Sequence, residues 1–308
     1  MVVRAGVRRT RRALVAAVLA VAVVGGCSRP PAPVVESQAP SPVVTTSAAP
    51  SRALDSEPAG QGTTGVPAGT ALTAYTGPTT ITRPGTVIDR QEITGCLVIK
   101  ADDVTISSSL IRSACLFNVL ADEGHTGLRL VDVEIDGLGN TDGDSAVNGG
   151  GYTCLRCDVH GTTDGFKAGN DVTITDSWIH DLAMTKDSHN DGIQSLGTNR
   201  LTVEGTTIVL ADGATSAVIL STGSASEMRN VTITHNVLGG GAFTVYGGYS
   251  AGEDDVSKVS GILIADNRFS TRIHPKSGVY GAMTSTDPPV VVGRNTWFDG
   301  PKAGEALE

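Results

Sequence analysis

Carboxylate, lysine and histidine side chains are concentrated in one part of the sequence. Three short stretches carry the pattern: "NTDGDS" (140–145), "TTDGFK" (162–167) and "NDGIQS" (190–195). If their carboxylates lie close together, one must have a raised pKa or a cation must lie among them. Such clusters are more common at working sites than on passive surfaces. Asp-Gly pairs also occur in tight turns, where glycine and aspartate tolerate left-handed backbone geometry.

The elements that must position these side chains are recognisable as a repeat. An eight-residue segment with apolar residues at positions one, three and eight recurs nine times, and position six is usually small or polar. Its copies start at residues 86, 104, 128, 152, 172, 201, 231, 262 and 290. The alternation over positions one to three is typical of a strand. Inward side chains at both three and six require a corner between two strands.

A strand–corner–strand unit that repeats every 20–30 residues or so predicts an all-β fold, a single-stranded right-handed parallel β-helix of about nine turns. We assign it to residues 71–308. Polar side chains at position six are expected to hydrogen bond along the stack. The pattern resembles the pectate-lyase-like superfamily of right-handed parallel β-helix proteins. That resemblance implies the fold but selects no single function, because the superfamily contains lyases, hydrolases, epimerases, esterases and non-catalytic adhesins.

The repeat register predicts that the three Asp-Gly stretches lie above one another in consecutive turns. An apolar residue is expected to point inward in each turn, as at Phe166, Ile193 and Phe243, and in the Asp-Gly turns an acid stands two positions before it. We predict a catalytic cluster at one face of the stack, with Asp164 and Asp191 at its centre. The remaining candidates are catalytic residues Lys167, His160, His180 and His189, substrate-binding residues Trp178, Gln194 and Lys186, and a possible Ca²⁺ site at Asp144, Asp164 and Asp191.

Two enzyme mechanisms fit this residue set. Paired carboxylates hydrolyse glycosidic bonds, one as a protonated acid and one ionised. "TTDG" at 162–165 resembles the "NTDG" stretch of polygalacturonases, although Asn190-Asp191 replaces the Asp-Asp pair of that family and its later motifs are absent. The alternative is β-elimination on a uronic-acid polymer, with calcium on the sugar carboxylate and a lysine or histidine base. Epimerisation would use the same proton abstraction.

A non-catalytic function is the alternative to these two mechanisms. The chain would then be a cell-surface carbohydrate-binding or adhesin lipoprotein whose stacked acids hold a structural calcium. Calcium suits a site made of acidic oxygens. In either case we expect a monomer that binds a polysaccharide or cell-wall glycan.

The cysteines are expected to follow the same stack. Cys96 and Cys115 begin equivalent segments, "CLVI" and "CLFN", in consecutive turns. Neighbouring strands lie about 4.8 Å apart, which is within reach of a disulfide. We therefore predict a Cys96–Cys115 disulfide. Cys154 and Cys157 either bond to each other or fill core positions.

The N-terminus predicts export. Five arginines precede the apolar run Ala13–Val24, which is too short to cross a bilayer. The following "VVGGCS" resembles a lipobox, which implies a signal peptide over 1–26 and a lipid on Cys27. Residues 27–70 are rich in Pro, Ser, Thr and Ala, so they are predicted to form a disordered tether. The expected location is extracytoplasmic, with membrane contact through the lipid anchor only.

The charge balance excludes one class of partner. The whole chain has 23 basic and 32 acidic residues, and all five charges of the predicted signal peptide are arginines. The mature chain is therefore strongly acidic. We expect no binding to nucleic acid, because the electrostatic contribution of basic residues to phosphate binding would be missing.

Overall fold

The protein is a right-handed parallel β-helix in the computed structural model, which describes residues 57–223 and 227–308. The strands of these residues form three parallel sheets of ten, nine and nine strands. Each sheet takes every third strand, so each turn of the chain contributes one strand to each sheet in succession. The predicted all-β fold is thereby confirmed.

The sheets are called A, B and C below. Sheet A contains β1 (Thr73–Ala74), β4 (Gln91–Ile93), β7 (Leu110–Arg112), β10 (Glu134–Asp136), β13 (Asp158–His160), β16 (Trp178–Ile179), β19 (Thr207–Val209), β22 (Val237–Gly239), β25 (Arg268–Phe269) and β28 (Thr296–Trp297). Sheet B contains β2 (Thr80–Ile81), β5 (Leu97–Ile99), β8 (Phe117–Ala121), β11 (Ser145–Gly149), β14 (Asp164–Ala168), β17 (Asp191–Ser195), β20 (Ser216–Leu220), β23 (Phe243–Tyr249) and β26 (Gly281–Thr286). Sheet C contains β3 (Val87–Asp89), β6 (Thr105–Ser107), β9 (Leu128–Val131), β12 (Tyr152–Leu155), β15 (Val172–Thr175), β18 (Thr198–Glu204), β21 (Met228–Thr234), β24 (Val259–Ala265) and β27 (Val291–Val292). A short 3₁₀-helix, Val256–Lys258, precedes β24.

The eight-residue repeat corresponds to a strand of sheet C, a corner and a strand of sheet A. In the copy that starts at 128, positions one, three, six and eight are Leu128, Leu130, Val133 and Ile135, and all four are buried. The corner residue at position five, Asp132, has a φ of 55°. The left-handed conformation of this one residue turns the chain from sheet C into sheet A, which explains why both position three and position six point inward.

Polar residues at position six form a hydrogen-bonded ladder through the core. The Oδ1 atoms of Asn236, Asn267 and Asn295 accept the backbone N–H groups of Thr206, Asn236 and Asn267, at 2.8, 3.1 and 2.9 Å. The Asn236 amide also donates to the carbonyl of Val203, at 2.9 Å. The three asparagines are buried, so the ladder satisfies polar groups that water cannot reach.

Both cysteine pairs are disulfide-bonded. Cys96 and Cys115 lie in adjacent turns with their Cα atoms 5.8 Å apart, as predicted. Cys154 and Cys157 also bond to each other, across the corner of one turn, which decides between the two alternatives left open by the sequence. The second pair is fully buried, and the backbone N–H of Cys157 still donates to the hydroxyl of Ser177 at 3.0 Å, so the ladder continues at that level.

The folded unit begins before the predicted boundary at residue 71. Ala59 and Thr64 are buried, and the backbone N–H of Gly65 donates to the carbonyl of Arg156 at 2.9 Å. A Cβ on Gly65 would lie 2.9 Å from the Cβ of Asp158, so this segment runs directly over sheet A. Residues 57–70 therefore belong to the folded unit rather than to the tether.

The predicted signal peptide, Cys27 and the tether up to residue 56 lie outside the described residues. Within the part of the chain that the structure describes, no helix has the length and apolar character needed to cross a membrane.

Candidate functional site

The two central acids open neighbouring strands of sheet B. Asp164 is the first residue of β14 and Asp191 the first residue of β17. Phe166 pairs with Ile193, so Asp164 lies opposite Asp191 in the ladder. The same column continues through Ser145 on one side and Ser216 on the other. The predicted stacking of Asp164 on Asp191 is therefore present, but Asp144 is displaced from the column by one residue.

The Asp-Gly pairs of this site are not left-handed turns. Neither Gly165 nor Gly192 has a positive φ, and both lie inside strands. A Cβ on Gly165 would lie 2.3 Å from the carbonyl oxygen of Gly192 and 2.8 Å from Cγ2 of Ile179. Glycine is required because the inner side of the strand is filled by the next strand and the core. The aspartates are left on the outer side of sheet B.

Fixed hydrogen-bond donors hold both carboxylates. Asp164 Oδ1 accepts the backbone N–H of Asp191 at 2.9 Å. Asp191 Oδ1 accepts the hydroxyl of Ser216, and Asp191 Oδ2 accepts Nε2 of Gln194 at 3.2 Å. The residues are 3% and 1% exposed, so bulk water screens these contacts weakly.

Lys167 is the cation of the cluster. Its Nζ lies 2.7 Å from Oδ1 of Asp144 and 3.6 Å from Oδ2 of Asp164. The side chains of Lys167 and Asp144 are each 27% exposed, so the cluster reaches the surface of sheet B through them. Asp144 is thus a member of the cluster through Lys167, although it is outside the stacked column.

Burial raises the pKa of both central acids. Desolvation raises the pKa of Asp164 to about 7, and the negative charge of Asp191 acts in the same direction. Desolvation also raises the pKa of Asp191, but hydrogen bonds from Ser216 and Gln194 and the charges of His189 and Lys167 oppose this rise. Asp191 has two side-chain donors that stabilise its anion, so a proton on this pair is favoured at Asp164.

The described arrangement of the acids gives no support to the predicted calcium site. Among the described residues, no group of three or more His, Cys, Asp or Glu side chains is arranged to hold a metal ion. Calcium needs six to eight oxygen ligands. Both oxygens of Asp191 already accept hydrogen bonds, and Lys167 lies between Asp144 and Asp164 where the calcium hypothesis requires the metal. Lys167 therefore supplies positive charge within the cluster, and the calcium site stays a prediction.

Three aromatic side chains lie beside the carboxylates, and the sequence analysis did not include them in the site. The Phe243 ring is 5.7 Å from those of both Tyr246 and Tyr280. Burial raises the pKa of Tyr246, and the charge of Asp191 contributes to the rise, so the phenol lies within its electrostatic reach. Tyr280 is 68% exposed.

The position of Phe243 corrects the predicted register. Phe243 was expected to point inward, but Val245 is the residue that pairs with Val218. Phe243 instead extends the outer column of Asp164, Asp191 and Ser216 by one strand. Alignment of "SAVIL" with "FTVYG" on their valines would have placed this ring outside.

His160, His180 and Trp178 lie on a different sheet from the carboxylates. All three are on or next to strands of sheet A, where the His180 ring lies 3.5 Å from the indole of Trp178 and 5.2 Å from the ring of His160. His180 Nε2 is 2.9 Å from Oδ1 of Asp158. A hydrogen bond to Glu134 raises the pKa of His160. The prediction that these residues surround Asp164 and Asp191 is wrong, because they are on another face of the helix.

Of the three remaining candidates, His189 and Gln194 interact with the cluster and Lys186 does not. The charge of His189 acts on Asp191, and Gln194 hydrogen bonds to it, so both belong to the cluster. Lys186 is 90% exposed and its Nζ is 3.5 Å from Asp187. No described contact brings Lys186 to the carboxylates.

Comparison with known proteins does not extend this description. No protein-family model, curated protein or solved structure matches the chain.

Proposed function

We propose that the protein is a glycan-active enzyme that hydrolyses a glycosidic bond through Asp164 and Asp191. The observation that carries this proposal is the pair of carboxylates opposite each other in adjacent strands, with the pKa of Asp164 raised to about 7. Glycosidases use two carboxyl groups of unequal acidity, one protonated and one ionised.

The surroundings of the two acids assign their roles. Asp164 has the more strongly raised pKa and would donate its proton to the oxygen of the leaving group. Asp191 accepts hydrogen bonds from Ser216 and Gln194, which stabilise its anion. An ionised Asp191 would stabilise the positive charge that develops on the sugar ring in the transition state.

The charge of the site favours hydrolysis over elimination. β-Elimination on a uronic acid requires a cation on the sugar carboxylate. Lys167, the cation in contact with the cluster, is engaged by Asp144 and Asp164. Asp144 and an ionised Asp191 outnumber Lys167, so the site would also repel an acidic polymer. A neutral glycan is therefore the substrate class that we propose.

The aromatic group supplies a surface for such a substrate. Phe243 follows Asp191 and Ser216 in the outer column of sheet B, and neighbouring strands are about 4.8 Å apart. Phe243 would therefore lie roughly 10 Å from Asp191 along the helix axis, and Tyr280 would lie beside the next strand, with its ring in contact with that of Phe243. A glycan that runs parallel to that axis could stack a sugar ring on them while a bond lies over the carboxylates.

The proposal also includes the superfamily to which the protein belongs and its location in the cell. A pectate-lyase-like β-helix, exported and anchored through a lipid on Cys27, would meet glycans outside the cytoplasm. Residues 27–56 would then connect the anchor to the folded unit. The repeat and the "VVGGCS" stretch support this part of the proposal.

The test is to screen the full chain, extracted in detergent, on neutral and acidic glycans. New reducing ends without ultraviolet absorbance from an unsaturated uronide report hydrolysis. Asp164→Asn and Asp191→Asn should each reduce turnover by roughly two orders of magnitude or more while the fold melts normally. Asp187→Asn is the matched control, because its carboxylate is 80% exposed and outside the cluster.

Three outcomes would contradict the proposal. Unsaturated products would show elimination. Wild-type turnover by both cluster variants would show that the acids serve only the structure. Glycan binding without any turnover would favour the adhesin alternative.

A further inference from the structure

A groove lies over sheet A, on a different face of the helix from the carboxylate cluster. It encloses about 510 Å³. Its floor includes Trp178, Thr207 and Val237, which pair in register on consecutive strands. Residues 57–63 form one wall, and residues 270–273 with Phe298 and Asp299 form the other. This volume is within the usual range of ligand pockets.

The walls of this groove are held in place by hydrogen bonds. On one side, Gly65 is bonded to Arg156, and the hydroxyl of Thr64 donates to the carbonyl of Gly60 at 2.9 Å. On the other side, the Asp299 carboxylate accepts the hydroxyls of Ser270 and Thr271, each at 2.7 Å. The groove is therefore formed before any ligand arrives, which lowers the entropic cost of binding.

Trp178 provides an aromatic plate on the groove floor. One face of its indole is covered by the His180 ring at 3.5 Å, and His180 is itself held by Asp158 and Asp181. An indole ring that is already fixed in this way loses little side-chain entropy when a ligand stacks on it. Next to it, the hydroxyl of Thr207 has no hydrogen-bond partner among the described residues.

The polar groups around the plate favour an uncharged, hydroxyl-rich ligand. Arg272 and the carboxylates of Asp181 and Asp299 line the groove together with Val209 and Phe298. With Glu57, which also lines the groove, three carboxylates face one arginine, so the lining disfavours an anionic ligand, while sugar hydroxyls can donate to the carboxylates and accept from Arg272. A sugar ring matches this lining, because its C–H face packs on an indole while its hydroxyls bond to the rim.

We propose that this groove, between residues 57–63 and sheet A, is a second, non-catalytic binding site for a neutral pyranose oligosaccharide, with Trp178 as its stacking platform. The site does not depend on the proposed hydrolysis, because it shares no residue with the carboxylate cluster. It would hold the protein on a polysaccharide surface while the other face acts on the chain.

The experiment is isothermal titration of the full chain, in detergent, with four probes: cellohexaose, xylohexaose, chitohexaose and a galacturonic-acid hexamer. We expect binding of at least one neutral hexasaccharide and weaker binding of the acidic one. Trp178→Ala should weaken that binding by roughly tenfold or more, and Trp178→Phe should restore part of it. Arg272→Ala, on the rim, should also weaken binding.

The controls separate this proposal from the proposed hydrolysis. Because the carboxylate face would also bind a neutral glycan, the second site is the part of the binding that Trp178→Ala weakens or removes, and Asp164→Asn should leave that part unchanged even if it abolishes turnover. If Trp178→Ala leaves both the affinity and the number of bound oligosaccharides unchanged, or if Asp164→Asn removes all binding, the second site is overturned. Absence of binding by all three neutral probes would overturn it as well. A melting curve of each variant confirms that its fold is intact.

Discussion

At the scale of single residues, the environment of a carboxylate decides its chemistry. Asp164 and Asp191 occupy equivalent places in adjacent turns, yet only Asp191 is bonded by the hydroxyl of Ser216 and the amide of Gln194. The pKa of both is raised by burial, and that of Asp164 reaches about 7. The two groups therefore differ in protonation near neutral pH, as an acid and an ionised partner must.

This difference predicts a bell-shaped pH profile of kcat/KM. Activity should fall at low pH as Asp191 gains its proton, and should fall above about pH 7 as Asp164 loses its own. The residual activity of the Asp164→Asn variant should no longer fall at alkaline pH, because the asparagine side chain has no titrating proton. An alkaline limb that persists in this variant would show that another group supplies the acid.

At the scale of the structural element, the ladder of position-six side chains holds the corner between sheets C and A. Asn236 is fully buried, accepts the N–H of Thr206 and donates to the carbonyl of Val203. Each of these backbone groups would be left without a partner if the amide were removed. A buried polar group without a partner costs about 1–3 kcal/mol.

We therefore expect Asn236→Ala to lower the free energy of unfolding by about 2–4 kcal/mol. Chemical denaturation monitored by circular dichroism measures the change. Asn148→Ala, a partly exposed residue of β11, makes the same chemical substitution outside the ladder and should cost far less. Equal losses in the two variants would show that the ladder is not a main source of stability.

At the scale of the whole molecule, a parallel stack must resist unravelling at its ends. The Cys96–Cys115 disulfide joins two turns near the N-terminal end, and its cysteines have a sequence separation of 19. Residues 57–65 also fold back over sheet A and reach Arg156. The N-terminal end is thus tied by one covalent link and one covering segment.

The double variant Cys96→Ala/Cys115→Ala should lose about 3 kcal/mol of stability, because the unfolded chain regains the entropy that the closed loop removes. Denaturant unfolding under non-reducing conditions gives this value, and a non-reduced peptide digest confirms the pairing in the parent. An unchanged unfolding midpoint would mean that this end of the stack contributes little to global unfolding.

The anchor is tested separately. Cys27→Ser should leave an unlipidated precursor or release the protein from the membrane fraction, because the thioether to the lipid cannot form. Fractionation and intact-mass measurement of the parent and the variant show whether the lipid is present. Recovery of the parent protein entirely from the culture medium would contradict the lipid anchor.

The repeat pattern alone was sufficient for the fold, the inward positions of each copy, the ladder at position six and the Cys96–Cys115 pair. The physical reason is that a stack of identical turns imposes one local rule on every copy, so agreement among nine segments reveals it. The pairing of Asp164 with Asp191 followed from the same register.

Only the tertiary structure decided which side chains meet across different sheets. In the structure, Trp178, His160 and His180 lie on another sheet from the carboxylates, and Asp144 lies one residue outside their column. Phe243, Tyr246 and Tyr280 lie beside the carboxylates instead. It also showed residues 57–70 on sheet A. Connections between the sheets vary in length and obey no repeat, so their course depends on long-range packing that no local pattern records.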